Sequence, residues 1–134
     1  MMIDASAFLA ILLEEPEGPE MAQRIACAKA PYTSPVVVYE TCVRLMNARQ
    51  IAPEEAQDIM RALLDEAAVR VVPITESMTA AALGAFEKYG KSRHPAALNF
   101  GDCFAYACAR AYRARLLFTG EDFSQTNIND SSRR

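Results

Sequence analysis

Short β-like runs alternate with longer helical segments along this chain, and this alternation limits the folds open to it. The predicted strands cover residues 1–3, 31–33, 69–74 and 115–118, with a last short one near Ile128. Such alternation is typical of an α/β domain whose mostly parallel sheet carries helices on both sides. The length of 134 residues and the 51% hydrophobic content suit one compact domain. We therefore expect a single α/β domain over residues 1–128, with about five short strands.

Helices are predicted between the strands from apolar spacing and from capping residues. The segment after Ser34 is ambiguous, because Val36-Val37-Val38 has high β-propensity. Ser34-Pro35 favours a helix, since serine is a good N-cap and proline a good first helical residue. A helix is therefore expected over residues 35–49. Further helices are expected over residues 6–15, 19–28, 77–90 and 100–111, and from Pro53 onward.

The same spacing predicts which side chains are buried. In the second helix Ala26 is expected to be buried, and Phe86 is expected on the buried apolar face of residues 77–90. Phe100 would open a buried helix with Asn99 as its N-cap. Residues 129–134 are polar and charged, so we expect a frayed tail there.

The formal net charge of −3 argues against a protein that holds nucleic acid by bulk electrostatics. Two local basic stretches remain as candidate contacts, at residues 88–94 and 110–115. The alternative for both is a solvated face with no partner.

The cysteines argue against a zinc-binding protein, and the lack of a long apolar segment argues against a membrane protein. The four cysteines form no C-x-x-C pair, and His94 is the one histidine, which argues against a structural zinc site. We expect the cysteines to be small buried hydrophobes in a reducing compartment. No segment approaches the ~20 apolar residues that a membrane span needs. The sequence therefore predicts a cytoplasmic protein that does not enter a membrane.

Four acids stand next to apolar segments, where an isolated carboxylate is costly: Asp4, Glu40, Asp102 and Asp122. Clustered carboxylates raise each other's pKa values, and a hard divalent cation would neutralise them. In an open parallel sheet, ligands bind outside the carboxyl ends of the strands, where all four acids can converge. An oxygen-only site of this kind favours Mg²⁺ or Mn²⁺.

Each acid also has a purely structural explanation. Asp4 suits a helix N-cap, with Ser6 as a competing cap. Asp102 follows Asn99 at capping-box spacing, and Asp122 suits a turn. Glu40 is the exception, because it falls on a helix face that otherwise packs, where a glutamate needs a partner.

Four segments together resemble one family. They are Met-Ile-Asp-Ala-Ser-Ala at residues 2–7, Glu40 after Ser34-Pro35, the stretch from Gly90 to Cys103, and Leu-Phe-Thr-Gly-Glu-Asp-Phe at residues 117–123. In this order they are similar to PIN-domain ribonucleases, and more narrowly to the VapC-type toxins of bacterial toxin–antitoxin modules. The resemblance covers residues 3–128.

The resemblance implies Mg²⁺-dependent hydrolysis of RNA phosphodiester bonds by the four acids, which would hold the metal. It places Ser6 and Thr119 as hydroxyls near the metal or the scissile phosphate, and Asn99 as a polar residue beside the site. For Lys91 and Arg93 it implies contact with RNA, in preference to a solvated face without a partner. Glu121 is adjacent to Asp122, so which of the two points inward stays open.

The resemblance also implies a cognate small antitoxin and a homodimer or toxin–antitoxin hetero-oligomer. The first helix offers a broad apolar surface from Phe8 to Leu13, which would suit a partner or would be sandwiched in the core. Two other functions stay open. One is a non-catalytic PIN-like binding module. The other is a phosphatase with Asp4 as nucleophile, which is weakened because such enzymes typically carry a second aspartate where Ser6 stands.

Overall fold

The computed structural model describes residues 1–128 and confirms a single α/β domain in which strands and helices alternate. In chain order the elements are β1 (Met2–Ile3), α1 (Ala5–Leu12), α2 (Gly18–Cys27), β2 (Tyr32–Thr33), α3 (Pro35–Arg49), α4 (Pro53–Glu66), β3 (Arg70–Val71), α5 (Glu76–Tyr89), α6 (Phe100–Ala111) and β4 (Leu116–Leu117). None of the helices within residues 1–128 is long and apolar enough to cross a membrane.

The sheet is parallel throughout and has the strand order β3-β2-β1-β4. Met2 is opposite both Tyr32 and Leu116, so β1 lies between β2 and β4. Because all strands run in one direction, their carboxyl ends meet at one edge. The predicted strand near Ile128 is wrong, since residues 121–128 form turns and bends. The described part of the sheet therefore has four strands, and the predicted tail at 129–134 lies outside the described residues.

Local capping explains where the two helices nearest the site begin. The Ser34 hydroxyl accepts a hydrogen bond from the Val37 N–H (3.3 Å) and starts α3 at the predicted residue. Asn99 Oδ1 accepts from the Asp102 N–H (2.9 Å), and Asp102 Oδ2 accepts from the Asn99 N–H (3.1 Å). This reciprocal pair is a capping box, which satisfies two backbone donors at the start of α6.

The helices pack as α1 on α2 and α3, α3 on α4 and α6, and α5 on α6. Phe8 and Leu9 of α1 are buried, and Ile11 to Leu13 are half-buried. The alternative in which α1 is sandwiched in the core is therefore the better description of this helix.

Three side chains predicted to be buried are exposed: Ala26, Phe86 at 41% and Phe100 at 70%. Cys27 is exposed as well, whereas Cys42, Cys103 and Cys108 are buried and all four thiols are free. Helical spacing determines which residues share a face, but it does not determine whether a neighbouring element covers that face.

Candidate acidic site at the sheet edge

The four predicted acids come from four separate segments. Asp4 follows β1 directly, and Asp122 lies in the turn after β4. Asp102 is the third residue of α6, and Glu40 is in the second turn of α3. The charges of the other three acids each raise the pKa of Asp102, so those three carboxylates lie within electrostatic range of it, and we call all four the carboxylate cluster.

Asp4 is 4% exposed and is the N-cap of α1. Its Oδ2 accepts hydrogen bonds from the Ser6 N–H (3.1 Å) and the Ser6 hydroxyl (2.7 Å). Its Oδ1 is buried and has no hydrogen-bond partner within residues 1–128, the part of the chain that the structure describes. Burial raises the pKa of this carboxyl most, hydrogen bonds from Ser6 and from the Ala5 backbone lower it, and the charge of Asp122 raises it. Ser6 thus holds Oδ2 of Asp4, whereas Oδ1 is the oxygen without a side-chain partner among the described residues.

Ser6 connects Asp4 to the neighbouring strand. Its hydroxyl donates to Asp4 and accepts from the Thr119 N–H (3.0 Å) in the segment after β4. Asp4 itself donates its N–H to the Leu117 carbonyl (3.0 Å). Thr119 therefore contributes its backbone to the site through Ser6.

Asp102 is 5% exposed and has one oxygen engaged in the capping box. Its pKa is raised to about 7. Burial is the largest cause, the hydrogen bond from the Asn99 N–H opposes it, and the negative charges of the other acids add to it. The predicted capping role of Asn99 accounts for its contact with Asp102, and Asn99 itself is exposed.

Glu40 is half-buried, and its carboxylate lies against the first turn of α6. Burial raises its pKa most, and the charge of Asp4 raises it as well. The Arg44 guanidinium lowers it. Arg44 was not predicted, although its position one helical turn after Glu40 is a signal that the sequence contains.

Asp122 and Glu121 are both exposed, but they differ in their coupling to the cluster. The charge of Asp122 raises the pKa values of Asp4, Glu40 and Asp102, whereas Glu121 is not among the causes of those shifts. Gly120 precedes the pair with φ of +81°, a left-handed conformation that favours glycine. Of the two acids, Asp122 is therefore the one whose charge acts on the cluster.

The predicted basic residues lie outside the cluster. Lys91 and Arg93 are exposed in the loop between α5 and α6, and the Arg93 guanidinium stacks over the Phe86 ring at 5.2 Å. Arg44, in contrast, is a cation whose charge lowers the pKa of a cluster acid, Glu40.

The donor set suits a hard divalent cation, because it consists of oxygens and includes the unpartnered Oδ1 of Asp4. Within residues 1–128, no three acidic, histidine or cysteine side chains are already grouped around one ion position. This is compatible with Mg²⁺, which keeps several waters and binds through one or two carboxylates together with substrate phosphates.

A parallel α/β domain with carboxylates near the ends of its strands is typical of proteins that bind a divalent cation with oxygen ligands. The PIN domain model matches residues 1–129, so the chain belongs to the PIN-domain family. Similar proteins place the chain among the VapC ribonucleases of this family. A VapC ribonuclease of Rhizobium meliloti is 36% identical over 138 residues, covering 94% of this chain and 97% of the relative. Another, from Mycobacterium tuberculosis, is 39% identical over 129 residues, covering 96% and 91%.

Solved structures agree on the fold. The chain is similar to the sarcin–ricin loop cleaving toxin VapC20 of Mycobacterium tuberculosis, with a TM-score of 0.73, 20% identity and 95% of each chain covered. It is also similar to a chain of a toxin–antitoxin complex from Klebsiella pneumoniae, with a TM-score of 0.68, 16% identity and 94% and 92% covered.

Proposed function

We propose that this chain is a metal-dependent endoribonuclease toxin of a VapBC-type system, which hydrolyses RNA phosphodiester bonds at the carboxylate cluster. The observation that carries the proposal is the Asp4 carboxylate: Ser6 holds its Oδ2, and its buried Oδ1 has no hydrogen-bond partner among residues 1–128. A buried polar atom without a partner is costly, and a bound cation would relieve that cost. Near full-length similarity to VapC ribonucleases supports the reaction.

We propose Mg²⁺ as the ion, with Mn²⁺ as the alternative. Asp4 and Asp102 would hold it, Glu40 would complete the site directly or through water, and Asp122 would hold a second ion or position a water. When bound, the ion would polarise a phosphate oxygen and lower the pKa of the attacking water.

The chain's own residues orient these groups. Ser6 holds Asp4 relative to the segment after β4, through its bonds to Asp4 and to the Thr119 N–H. The Asn99 N–H holds one oxygen of Asp102 at the start of α6. Glu40 would orient the nucleophilic water, since its carboxylate lies against Gly101, the residue before Asp102.

RNA contacts are proposed for three cations: Arg44, whose charge acts on Glu40, and Lys91 and Arg93 in the loop before α6, outside the cluster. A chain with a net charge of −3 needs such local cations to hold a phosphate backbone. All three side chains are exposed, and Arg93 would have to leave its contact with the Phe86 ring to reach a substrate.

A cognate small antitoxin is the proposed protein partner, and a homodimer or toxin–antitoxin hetero-oligomer the proposed assembly. Exposed apolar side chains support both, namely Tyr39 at 72%, Leu83 at 64% and Phe100 at 70%. Since RNA is the proposed substrate, we place the protein in the cytoplasm. Light scattering at micromolar concentration that found a monodisperse monomer would contradict the homodimer.

The test is cleavage of total RNA, including tRNA and ribosomal RNA, by wild-type protein with Mg²⁺ and with EDTA. Asp102→Asn is prepared identically, and Asp65→Asn on the exposed face of α4 is the matched control. Discrete products that need Mg²⁺, vanish with Asp102→Asn and persist with Asp65→Asn are expected. Identical products from all three proteins would reveal a contaminant and contradict the proposed site.

Two alternatives predict other outcomes. A non-catalytic binding module would retain RNA in a filter-binding assay without cutting it. A phosphatase would form a trappable phospho-aspartate at Asp4, but the Oδ2 of Asp4 is hydrogen-bonded to Ser6, at the position where such enzymes carry their second aspartate.

A further inference from the structure

Gly101 occupies the second position of α6, between Phe100 and the buried Asp102. Glycine is among the least favourable residues within a helix, because it gains no side-chain contacts and loses much backbone freedom. The φ angle of Gly101 is not in the left-handed region, in contrast to Gly120 at +81°. Backbone conformation therefore does not require glycine at this position.

The observed position of the Glu40 carboxylate does require it. A Cβ built on Gly101 would lie 2.8 Å from Glu40 Oε1, 2.8 Å from Oε2 and 3.0 Å from Cδ. The three nearest atoms thus all belong to one carboxyl group of the acidic cluster. By comparison, a Cβ on Gly84 in α5 would meet nothing within 4 Å.

We propose that Gly101 is a positioning residue whose missing side chain lets the Glu40 carboxylate lie against the first turn of α6, beside Asp102. This inference rests on the proposed function, because it assigns that position to the metal-binding arrangement. A negative charge is favoured at a helix N-terminus, which partly offsets its repulsion by the other acids. Any side chain at residue 101 would push the carboxylate away, since Glu40 is the flexible partner in the contact.

A thermal double-mutant cycle tests the contact without metal or substrate. Replacing a helical glycine by alanine is expected to raise the melting temperature by about 2–5 °C, as Gly84→Ala should do. Gly101→Ala should give this rise in a Glu40→Ala background and a clearly smaller rise, or a fall, when Glu40 is present. Equal shifts in both backgrounds would overturn the inference.

A second pair of measurements separates positioning from folding. Calorimetric titration with Mn²⁺ alone should show about a tenfold weaker affinity for Gly101→Ala, and RNA cleavage should fall in parallel. Gly84→Ala should match wild type in both. Glu40→Asp retracts the carboxylate by one methylene, so adding Gly101→Ala to it should cause no further loss of affinity.

The outcomes for the two proposals are distinguishable. Wild-type protein that neither binds Mn²⁺ nor cleaves RNA would overturn the proposed function, and the thermal cycle would then decide alone whether Gly101 positions Glu40. Wild-type protein that does both, together with a Gly101→Ala variant of equal affinity and activity, would overturn the role of Gly101 and leave the proposed function intact.

Discussion

Phe8 and Asp4 lie four residues apart at the start of α1, and both are almost fully buried, with 0% and 4% exposure. Phe8 belongs to the apolar core, together with Ile3 of β1 and Leu117 of β4. Asp4 belongs to the carboxylate cluster at the ends of the same strands. Burial stabilises the apolar side chain, but it raises the pKa of the carboxyl and so disfavours its charged form.

The comparison shows that one strand–helix junction serves two opposing requirements. Packing in the core increases the free energy of unfolding. Repulsion between the acids of the cluster decreases it. We therefore expect substitutions in the core to reduce stability first, and substitutions in the cluster to reduce activity while stability holds or rises.

The largest expected effect is on the core. Phe8→Ala removes a fully buried ring and should lower the free energy of unfolding by about 3–5 kcal/mol. Urea denaturation followed by circular dichroism measures this. Tyr39→Ala, which truncates a 72% exposed ring, should change it by less than about 0.5 kcal/mol. Equal losses in the two variants would remove the distinction between core and surface.

The next effect is on the cluster. Asp4→Asn keeps the shape of the side chain and an oxygen for the bonds from Ser6, but it removes the charge. Cleavage of RNA with Mg²⁺ should fall by about 100-fold or more, while the melting temperature stays within a few degrees of wild type. Initial rates on one identified RNA product measure the loss. Unchanged cleavage would exclude Asp4 from the site.

The pH dependence of stability is a further way to compare the carboxylate cluster with the apolar core, because the apolar side chains of the core do not titrate. The pKa of Asp102 is about 7 in the folded protein, against 3.8 for the ordinary group. Between these values the folded state binds more protons than the unfolded state, so stability falls as pH rises through the window. From about pH 5 to about pH 8 in EDTA, wild type should lose on the order of 2 kcal/mol more than Asp102→Asn.

Urea denaturation at each pH measures that difference, and Asp65→Asn serves as the control because its carboxylate is exposed. Mg²⁺ should reduce the loss at the higher pH, since a cation favours the charged acids. A slope that Asp102→Asn does not change would show that Asp102 titrates like an ordinary surface acid.

The smallest effect is expected at the link between the two regions. Ser6→Ala removes the hydroxyl that donates to Asp4 and accepts from the Thr119 N–H. Stability should fall by about 1 kcal/mol, and cleavage by about tenfold, because Asp4 loses its orientation. Ser6→Thr, which keeps the hydroxyl, should retain most activity. If Ser6→Ala and Ser6→Thr cleaved equally fast, the hydroxyl would have no part in orienting Asp4.

The helix starts nearest the site were predictable because they depend on contacts within a few residues. Ser34-Pro35 predicted the start of α3 in spite of three consecutive valines, and the structure has α3 begin at Pro35. Asn99 and Asp102 suggested the cap of α6, and both bonds of the capping box are present. The surprise is that Asp4 and Asp102 are caps and cluster members at once, so the structural and functional explanations are compatible.

Exposure and long-range contacts were less predictable. Phe86 and Phe100 fit an apolar period, yet both are exposed because no described element covers that side of α5 and α6. Gly101 and Glu40 are 61 positions apart in the sequence, so no local sequence pattern predicts their contact.

The sequence by itself determined the order of strands and helices, the caps that begin α3 and α6, and the four acids next to apolar segments. These features depend on hydrogen bonds and apolar spacing within a few turns of the chain. The tertiary structure decided the strand order β3-β2-β1-β4, the meeting of Glu40 with Gly101 and the raised pKa of Asp102. Desolvation and charge repulsion depend on which distant segments pack together, and that is settled only when the whole domain is folded.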